Sequence, residues 1–233
     1  LHVLPHQIYS IIGPNGAGKS TVFNLVTGLY PLTQGSIIFD THRIHRMKPY
    51  HVASMGITRT FQNIRLFINA TVWENVAVAQ NVRSRINFLS AIFRTPAYRY
   101  QEKQILEQTR QWLDFVGLED GWYQLAGNLA YGQQRRLEIA RALATRPKLL
   151  LLDEPAAGMN PQETESLMLL IQKIRDTGIS VLLIEHDMSL IMKISDRMTV
   201  MNFGKKIAEG TPAEIRENPD VIEAYLGQED ENT

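Results

Sequence analysis

Apolar residues follow two different spacings along this chain. Near both ends, short apolar segments predict buried strands, over residues 8–12, 36–39, 149–153, 180–185 and 198–202. The four leucines at 149–152 are apolar without alternation, which is typical of a central strand covered on both faces. Because stretches with helical spacing separate these strands, the sequence predicts an α/β fold with a doubly wound, mainly parallel sheet.

Helical spacing takes over in the middle of the chain, where strand signals are lacking. It predicts three helices, over residues 72–82, 101–116 and 133–144. The second of them should bury a face formed by Leu106, Leu113 and Val116. We therefore expect a helical subdomain over 69–145, inserted into an α/β core that comprises residues 1–68 and 146–233.

The last part of the core ends in short elements. A strand signal covers 206–208, and Gly210 marks a turn after it. Two helical pieces follow, separated at Asn218-Pro219 because proline does not continue a helix. Residues 228–233 are polar, and we expect them to be frayed.

A glycine-rich loop lies between the first predicted strand and a helix-like stretch. It fits a known phosphate-binding pattern with Gly13, Pro14, Asn15, Gly16, Ala17, Gly18, Lys19 and Ser20. The glycines let backbone N–H groups turn toward phosphate oxygens, and the helix N-terminus at Thr21 adds partial positive charge. Lys19 suits the β- and γ-phosphates, and the Ser20 hydroxyl suits Mg²⁺. The alternative is a turn that matches by chance, but the strand–loop–helix context favours a nucleoside triphosphate site.

Two adjacent carboxylates follow the most apolar predicted strand. Asp153 and Glu154 stand at its C-terminal end, where open α/β sheets bind their ligands. We expect Asp153 to hold Mg²⁺, directly or through water, and Glu154 to act as general base for an attacking water. The alternative is an ordinary turn before Pro155, which the phosphate loop in the same chain disfavours.

Composition narrows the classes of function. Lys and Arg number 24 and Asp and Glu number 24, so no net charge favours nucleic acid. The chain has no cysteine, which excludes disulfides and thiolate metal sites and fits a reducing compartment. No apolar run has the length of a membrane span and no signal peptide opens the chain, so we expect a membrane role only through partners. The chain starts at Leu1 without methionine, and we expect an N-terminally truncated fragment.

The order of these motifs resembles the ATP-binding cassette ATPases over nearly the whole chain. The matching positions are the phosphate loop at 13–20, Gln62, the signature residues Leu129, Ala130, Tyr131, Gly132 and Gln133, the pair Asp153 and Glu154, the D-loop at 157–160, and His186. The resemblance implies a RecA-like P-loop NTPase core with a helical subdomain, and it implies ATP and Mg²⁺ as cofactors. It assigns catalysis to Glu154, His186 and Gln62, and Mg²⁺ to Ser20, Gln62 and Asp153.

In this family, two subunits close ATP between the phosphate loop of one and the signature of the other. The resemblance therefore implies a second ATPase subunit, and a helix that opens at Gln133 toward the partner's γ-phosphate. Ala130 and Tyr131 replace the usual serine and glycine of the signature, so only backbone donors remain at Ala130. Asn160 replaces the usual D-loop aspartate. The aromatic residue that stacks on adenine in the family is expected upstream of Leu1.

Several segments resemble the ATP-binding subunits of branched-chain amino acid importers, over residues 58–67, 129–143, 153–164 and 218–227. Such importers combine two ATPase subunits with two transmembrane permeases and a periplasmic binding protein. The resemblance implies a peripheral subunit at the cytoplasmic face of the inner membrane, held there by its partners, without nucleic acid.

Other functions stay open at this point. The cargo could be different, as in lipopolysaccharide export, or the chain could be a soluble cassette ATPase that acts on ribosomes or DNA. A regulatory module without hydrolysis is disfavoured by the presence of Lys19, Asp153, Glu154 and His186. The basic segment 83–103 suits docking to permease loops or anionic lipid, or it packs its apolar side on the helical subdomain.

Overall fold

The computed structural model describes residues 1–80 and 95–226 of the 233-residue chain. The chain divides into two compact units. The first comprises Leu1–Gln62 and Lys148–Thr233, and the second comprises Asn63–Pro147. The domain limits proposed from the sequence, at 68/69 and 145/146, stay a prediction.

Eight strands lie in the described part of the first unit. They are β1 (Ile8–Ile12), β2 (Ile38–Phe39), β3 (His42–Arg43), β4 (Ile57–Arg59), β5 (Leu149–Asp153), β6 (Ser180–Ile184), β7 (Arg197–Asn202) and β8 (Lys205–Gly210). Six of them form one sheet in the order β4-β5-β6-β1-β7-β8. Only β8 runs antiparallel to its neighbour in this sheet, which confirms the predicted mainly parallel α/β fold.

The described α-helices belong to both units. They are α1 (Lys19–Val26), α2 (Pro49–Met55), α3 (Val72–Gln80), α4 (Pro96–Val116), α5 (Tyr131–Ala144), α6 (Pro161–Asp176), α7 (Met188–Ile194), α8 (Pro212–Arg216) and α9 (Pro219–Leu226). Helices α3, α4 and α5 pack on one another in the second unit. Among the described helices, none combines the length and apolarity needed to cross a membrane.

Apolar layers cover both faces of the sheet. On one face, Tyr9 and Ile11 of β1 pack in a buried cluster with Phe23 of α1. On the other face, Ile12 packs in a second cluster with Ile191 of α7. Every residue of β1 and β5 is buried, as expected for central strands without alternation. These strands therefore hold the loops at their carboxyl ends in fixed positions.

One predicted strand and one predicted helix have limits that differ from the sequence-based expectation. The strand predicted over 36–39 shortens to β2 and pairs with β3 in a separate antiparallel ribbon, because Asp40 and Thr41 adopt φ of 48° and 69° and form a tight turn. Helix α4 begins at Pro96 rather than at residue 101, since the Thr95 hydroxyl accepts a hydrogen bond from the Tyr98 N–H at 3.3 Å and caps it.

One predicted core position is also wrong. Leu113 and Val116 of α4 are buried as expected, but Leu106 is 49% exposed. Strand β8 covers the predicted strand, and α8 and α9 are separated at Asn218 as expected, but Gly210 pairs with Met198 as the last residue of β8 instead of forming a turn. Residues 81–82 of the first predicted helix, 83–94 of the basic segment and the expected frayed end lie outside the described residues.

Candidate nucleotide-binding site

The glycine-rich loop connects β1 to α1, as the sequence predicts. Its first residue, Gly13, has φ of 145°, and a Cβ placed there would lie 2.0 Å from the carbonyl oxygen of Met201 on β7. On the other side of the loop, the Gly204 N–H donates to the carbonyl oxygen of Ala17 at 3.0 Å. The turn after β7 thus supports the back of the loop, and only glycine fits at position 13.

This close approach gives a stability prediction. We expect Gly13→Ala to lower the free energy of unfolding by about 3 kcal/mol, from backbone strain of about 1–2 kcal/mol and overpacking of about 1–3 kcal/mol. Gly16→Ala is the matched control, because Gly16 has φ of 77° but no heavy atom within 4 Å of its Cβ position, so it adds strain alone. Denaturant unfolding without nucleotide measures both. Equal losses in the two variants would contradict this packing.

Helix α1 presents its first turn to the loop. It begins at Lys19 after Gly18, which has φ of 95°, and among the described residues no side chain caps this end. The uncapped N–H groups and the helix dipole favour an anion here. Ser20 and Thr21 are exposed in the first turn, where a ligand can reach their hydroxyl groups.

Lys19 is folded back onto the loop. Its Nζ donates to the carbonyl oxygens of Gly13 at 2.6 Å and Pro14 at 2.9 Å, and the side chain is buried. Burial lowers the pKa of Lys19, while the charges of Glu154 and Asp153 act to raise it. The ammonium group therefore lies within electrostatic range of both carboxylates, yet both of these hydrogen bonds are made to carbonyl oxygens of the loop.

Asp153 and Glu154 lie at the carboxyl end of β5, between β4 and β6. The buried Asp153 forms an ion pair with Arg59, whose Nη2 is 2.7 Å from its Oδ2. Glu154 is half-buried and accepts a hydrogen bond from Gln62 Nε2 at 2.8 Å. The structure thus brings three predicted site residues together at one edge of the sheet: Gln62, Asp153 and Glu154.

Glu154 has an uncommon backbone conformation. Its φ is 46°, a left-handed value that non-glycine residues rarely adopt, and its N–H donates to the carbonyl oxygen of Ile184 at 2.9 Å. Such conformations persist where the surrounding structure enforces them, and they cluster at functional sites. The neighbouring strand β6 therefore fixes the backbone that carries this carboxylate.

His186 follows β6 and is exposed. Its Nδ1 lies 3.8 Å from Oε2 of Glu185, a buried residue to which the sequence analysis gave no role. Glu185 also accepts a hydrogen bond from the Ala156 N–H at 2.9 Å, and burial raises the pKa of its carboxyl group. Glu185 therefore connects the chain after Glu154 to the histidine. An acidic residue directly after an apolar strand is the signal that could have identified it.

The D-loop ends at the start of α6. Asn160 Oδ1 accepts a hydrogen bond from the Glu163 N–H at 2.9 Å, and Glu163 accepts one from the Asn160 N–H at 3.1 Å. This reciprocal arrangement is a capping box. Since asparagine and aspartate cap helices about equally well, the replacement of aspartate by Asn160 keeps the helix start intact.

The signature residues belong to the second unit. Helix α5 begins at Tyr131, two residues before the predicted start at Gln133, so Gly132 lies buried inside its first turn. Ala130 has no side-chain acceptor, but its N–H donates to Gln133 Oε1 at 3.2 Å. Leu129 is buried, whereas Tyr131 is 44% exposed.

A buried ion pair supports this helix start. Arg135 Nη1 donates to Glu138 Oε2 at 2.8 Å, and both side chains are almost fully buried. Arg135 Nη2 donates to the Tyr131 hydroxyl at 3.3 Å, and the Arg65 N–H donates to Glu138 Oε1 at 3.2 Å. The tyrosine that departs from the common signature is therefore held by a charged pair one turn further along α5.

Comparisons with known proteins agree with this geometry. A family model described as ABC transporter matches residues 1–157, and one described as branched-chain amino acid ATP-binding cassette transporter matches residues 205–231. The high-affinity branched-chain amino acid transport ATP-binding protein BraF of Pseudomonas aeruginosa is 52% identical over 98% of this chain and 90% of its own length. LivG of Escherichia coli K12, which carries the same description, is 48% identical over the same shares.

Solved structures give the same result. The ADP conformation of MJ1267, an ATP-binding cassette of an ABC transporter, matches with a TM-score of 0.83 and 32% identity, over 97% of this chain and 90% of that one. A nucleotide-free cassette from an ABC transporter matches with a TM-score of 0.82 and 31% identity over the same shares. The chain therefore belongs to the ABC transporter family, and it is an ATP-binding cassette ATPase. The fold and family expected from the motifs are confirmed.

Proposed function

We propose that this chain is the ATP-binding and ATP-hydrolysing subunit of an importer of branched-chain amino acids. The observation that carries the chemistry is the convergence of the phosphate loop, Asp153, and the Gln62–Glu154 hydrogen bond at one edge of the sheet. The cargo rests on the relatives, because BraF is described as a branched-chain amino acid transport protein and is 52% identical.

Phosphate binding uses groups that the loop already presents. The ammonium group of Lys19 exchanges its contacts with the carbonyls of Gly13 and Pro14 for the β- and γ-phosphates of ATP. Loop N–H groups from Asn15 to Thr21 and the uncapped first turn of α1 surround the same anion. This step requires only that the Lys19 ammonium group exchange one set of hydrogen-bond acceptors for another.

The oxygen donors near the loop suit Mg²⁺. Ser20 supplies a hydroxyl, Asp153 a carboxylate and Gln62 an amide oxygen, and Mg²⁺ is commonly held by one or two carboxylates together with substrate phosphates. Among the described residues, no cluster of three His, Asp or Glu could hold a metal without such phosphates. When bound, the ion neutralises charge on the phosphates.

We assign hydrolysis to the residues expected beside the γ-phosphate. Glu154 accepts the proton of the attacking water as general base, and the hydrogen bond from Gln62 holds its carboxylate in place. Gln62 also orients the water. His186, which follows β6, donates a hydrogen bond to the γ-phosphate and stabilises the charge that develops there.

The signature completes the site from a second ATPase subunit. Leu129, Ala130, Tyr131, Gly132 and Gln133 present the N-terminus of α5, a helix of 14 residues whose dipole favours the partner's γ-phosphate. Ala130 lacks a hydroxyl, so backbone N–H groups supply the contact. Closure of two copies, or of this chain with a homologous one, therefore depends on bound ATP.

Permease docking is supported by the second unit. An open groove of about 1230 Å³ is lined by apolar side chains that are exposed, including Phe67, Ile68, Val78 and Leu106. Exposed apolar patches of this kind mark partner sites. We infer that a cytoplasmic segment of a transmembrane permease occupies the groove, which places the chain peripherally at the cytoplasmic face of the inner membrane. Two permeases and a periplasmic binding protein complete the importer.

Purification from membranes tests this assignment. A tagged copy of the chain should co-purify with permease subunits, and mass spectrometry should find them together with one or two kinds of ATPase subunit. Leucine-loaded binding protein should then raise the ATPase activity of the complex in detergent or nanodiscs. Co-purification with ribosomal or DNA-bound proteins, or activation by a different cargo only, would overturn the importer assignment.

A further inference from the structure

We propose that Arg59 is a positioning residue of the nucleotide site, which holds and neutralises Asp153 so that this carboxylate neither repels incoming phosphates nor captures Lys19. The inference rests on the proposed ATP site. Arg59 is the last residue of β4 and was not among the residues predicted for the site.

Hydrogen bonds and aromatic rings hold the side chain of Arg59, although its buried Nε has no hydrogen-bond partner among the described residues. Its Nη2 donates to Asp153 Oδ2 and its Nη1 donates to Asn24 Oδ1, each at 2.7 Å. The guanidinium carbon lies over the rings of Phe23 and Phe61, at 5.3 Å and 5.0 Å from their centres. The two hydrogen bonds and the two rings therefore orient the guanidinium plane, with Nη2 directed at the carboxylate and Nη1 at Asn24.

Burial makes the pairing important. The side chains of Arg59 and Asp153 are 8% and 7% exposed. A buried carboxylate without a partner is costly, and removing one member of such a pair is more damaging than replacing both. Solvent screens this carboxylate poorly at such depth, so loss of Arg59 leaves its charge to be offset by a neighbouring cation or by uptake of a proton.

Lys19 is the cation that could take its place. It lies within electrostatic range of Asp153, but its Nζ contacts the carbonyl oxygens of Gly13 and Pro14 instead. With Asp153 satisfied by Arg59, Lys19 stays at the loop, where it can transfer to phosphate. Arg59 thus neutralises Asp153 and leaves Lys19 to bind phosphate.

The position of Arg59 in the fold fits this role. It ends β4, next to β5, and the Thr60 N–H donates to the carbonyl oxygen of Leu151 at 2.9 Å. Three residues after Arg59, Gln62 donates to Glu154. The segment 59–62 therefore contacts both carboxylates. Arg59 forms an ion pair with Asp153, and the Gln62 amide donates a hydrogen bond to Glu154.

A double-mutant cycle tests the proposal without metal. We measure binding of a fluorescent ATP analogue in EDTA for the wild-type chain, Arg59→Met, Asp153→Asn and the double variant. Methionine keeps the length and the apolar contacts with the two phenylalanines. We expect Arg59→Met to bind about tenfold more weakly, the size expected for one charge about 10 Å away at an effective dielectric constant near 20. The double variant should bind about as tightly as the wild-type chain, because it lacks both the carboxylate and the cation that offsets it.

The double variant distinguishes a role of Arg59 in charge neutralisation from a role in packing. If Arg59 serves packing alone, the double variant keeps the defect of Arg59→Met, and the proposal is wrong. If Arg59→Met does not fold, the comparison of the double variant with the wild-type chain remains, and binding about tenfold weaker by the double variant overturns the proposal. Arg59→Lys retains the charge and should bind within about threefold of wild type. If the wild-type chain binds the analogue neither in EDTA nor with Mg²⁺, the proposed nucleotide site is refuted rather than the role of Arg59.

Discussion

Glu154→Gln is expected to lower ATP turnover by a factor of roughly 10² to 10⁴, the usual contribution of a general base, while ATP binding persists. Glutamine has nearly the size of glutamate and can still accept the hydrogen bond that Gln62 donates at 2.8 Å. It cannot take the proton of the attacking water. Because ATP then stays intact, the ATP-bound dimer should accumulate.

Single-turnover release of phosphate measures the loss of hydrolysis, and size-exclusion chromatography with ATP measures the dimer. Glu119→Gln, at an exposed position in the second unit, is the control for the change of charge and should leave both unchanged. Turnover near the wild-type level in Glu154→Gln would contradict the assignment of the general base.

Lys19→Ala is expected to weaken ATP binding by roughly 10- to 10³-fold, because charge-assisted hydrogen bonds contribute about 1.5–3 kcal/mol each. The side chain that now donates to the carbonyls of Gly13 and Pro14 is the one that would neutralise the β- and γ-phosphates. Titration calorimetry with ATP and Mg²⁺ measures the loss. Lys48→Ala, at an exposed position before α2, controls for the loss of one positive charge.

His186 provides the contrast with Lys19. His186→Ala should bind ATP nearly as tightly as the wild-type chain but hydrolyse it more slowly, because the histidine acts on charge that develops during the reaction. Equal losses of affinity in Lys19→Ala and His186→Ala would contradict the separation of phosphate binding from chemistry.

The parts of the fold that could be predicted are those that a continuous apolar run determines. The limits of β1 and β5 follow from segments buried on both faces, and the phosphate loop follows from glycine positions that close backbone approach requires. Strand β4 was missed, since its three residues include Thr58 and Arg59 and give no periodic signal. Its place in the sheet comes from pairing with β5, which is a tertiary contact.

The candidate site shows the same limit. Residue types and spacing predicted Lys19, Asp153 and Glu154, because each stands at the end of an apolar strand or in a glycine-rich loop, and the family resemblance predicted His186. Arg59 and Glu185 were not predicted, since their importance depends on burial and on partners distant in sequence.

The signature helix adds a further case of this kind. The Tyr131 hydroxyl at its start contacts Arg135, which pairs with Glu138, and both of these charged side chains are buried. Charged residues are usually exposed, so the burial of this ion pair could not be predicted from residue type. It results from tertiary packing. Likewise, Leu106 reads as a core residue yet lines an open groove.

Uptake of labelled leucine into proteoliposomes tests the central claim most directly. The ATPase subunit is reconstituted with its co-purified permeases, the binding protein is added on one side, and ATP is supplied on the side of the ATPase. The account predicts leucine uptake that requires ATP and is abolished by Glu154→Gln, with isoleucine and valine as competitors. Uptake that persists with Glu154→Gln, or ATP-dependent uptake of a different solute but not of leucine, would contradict it.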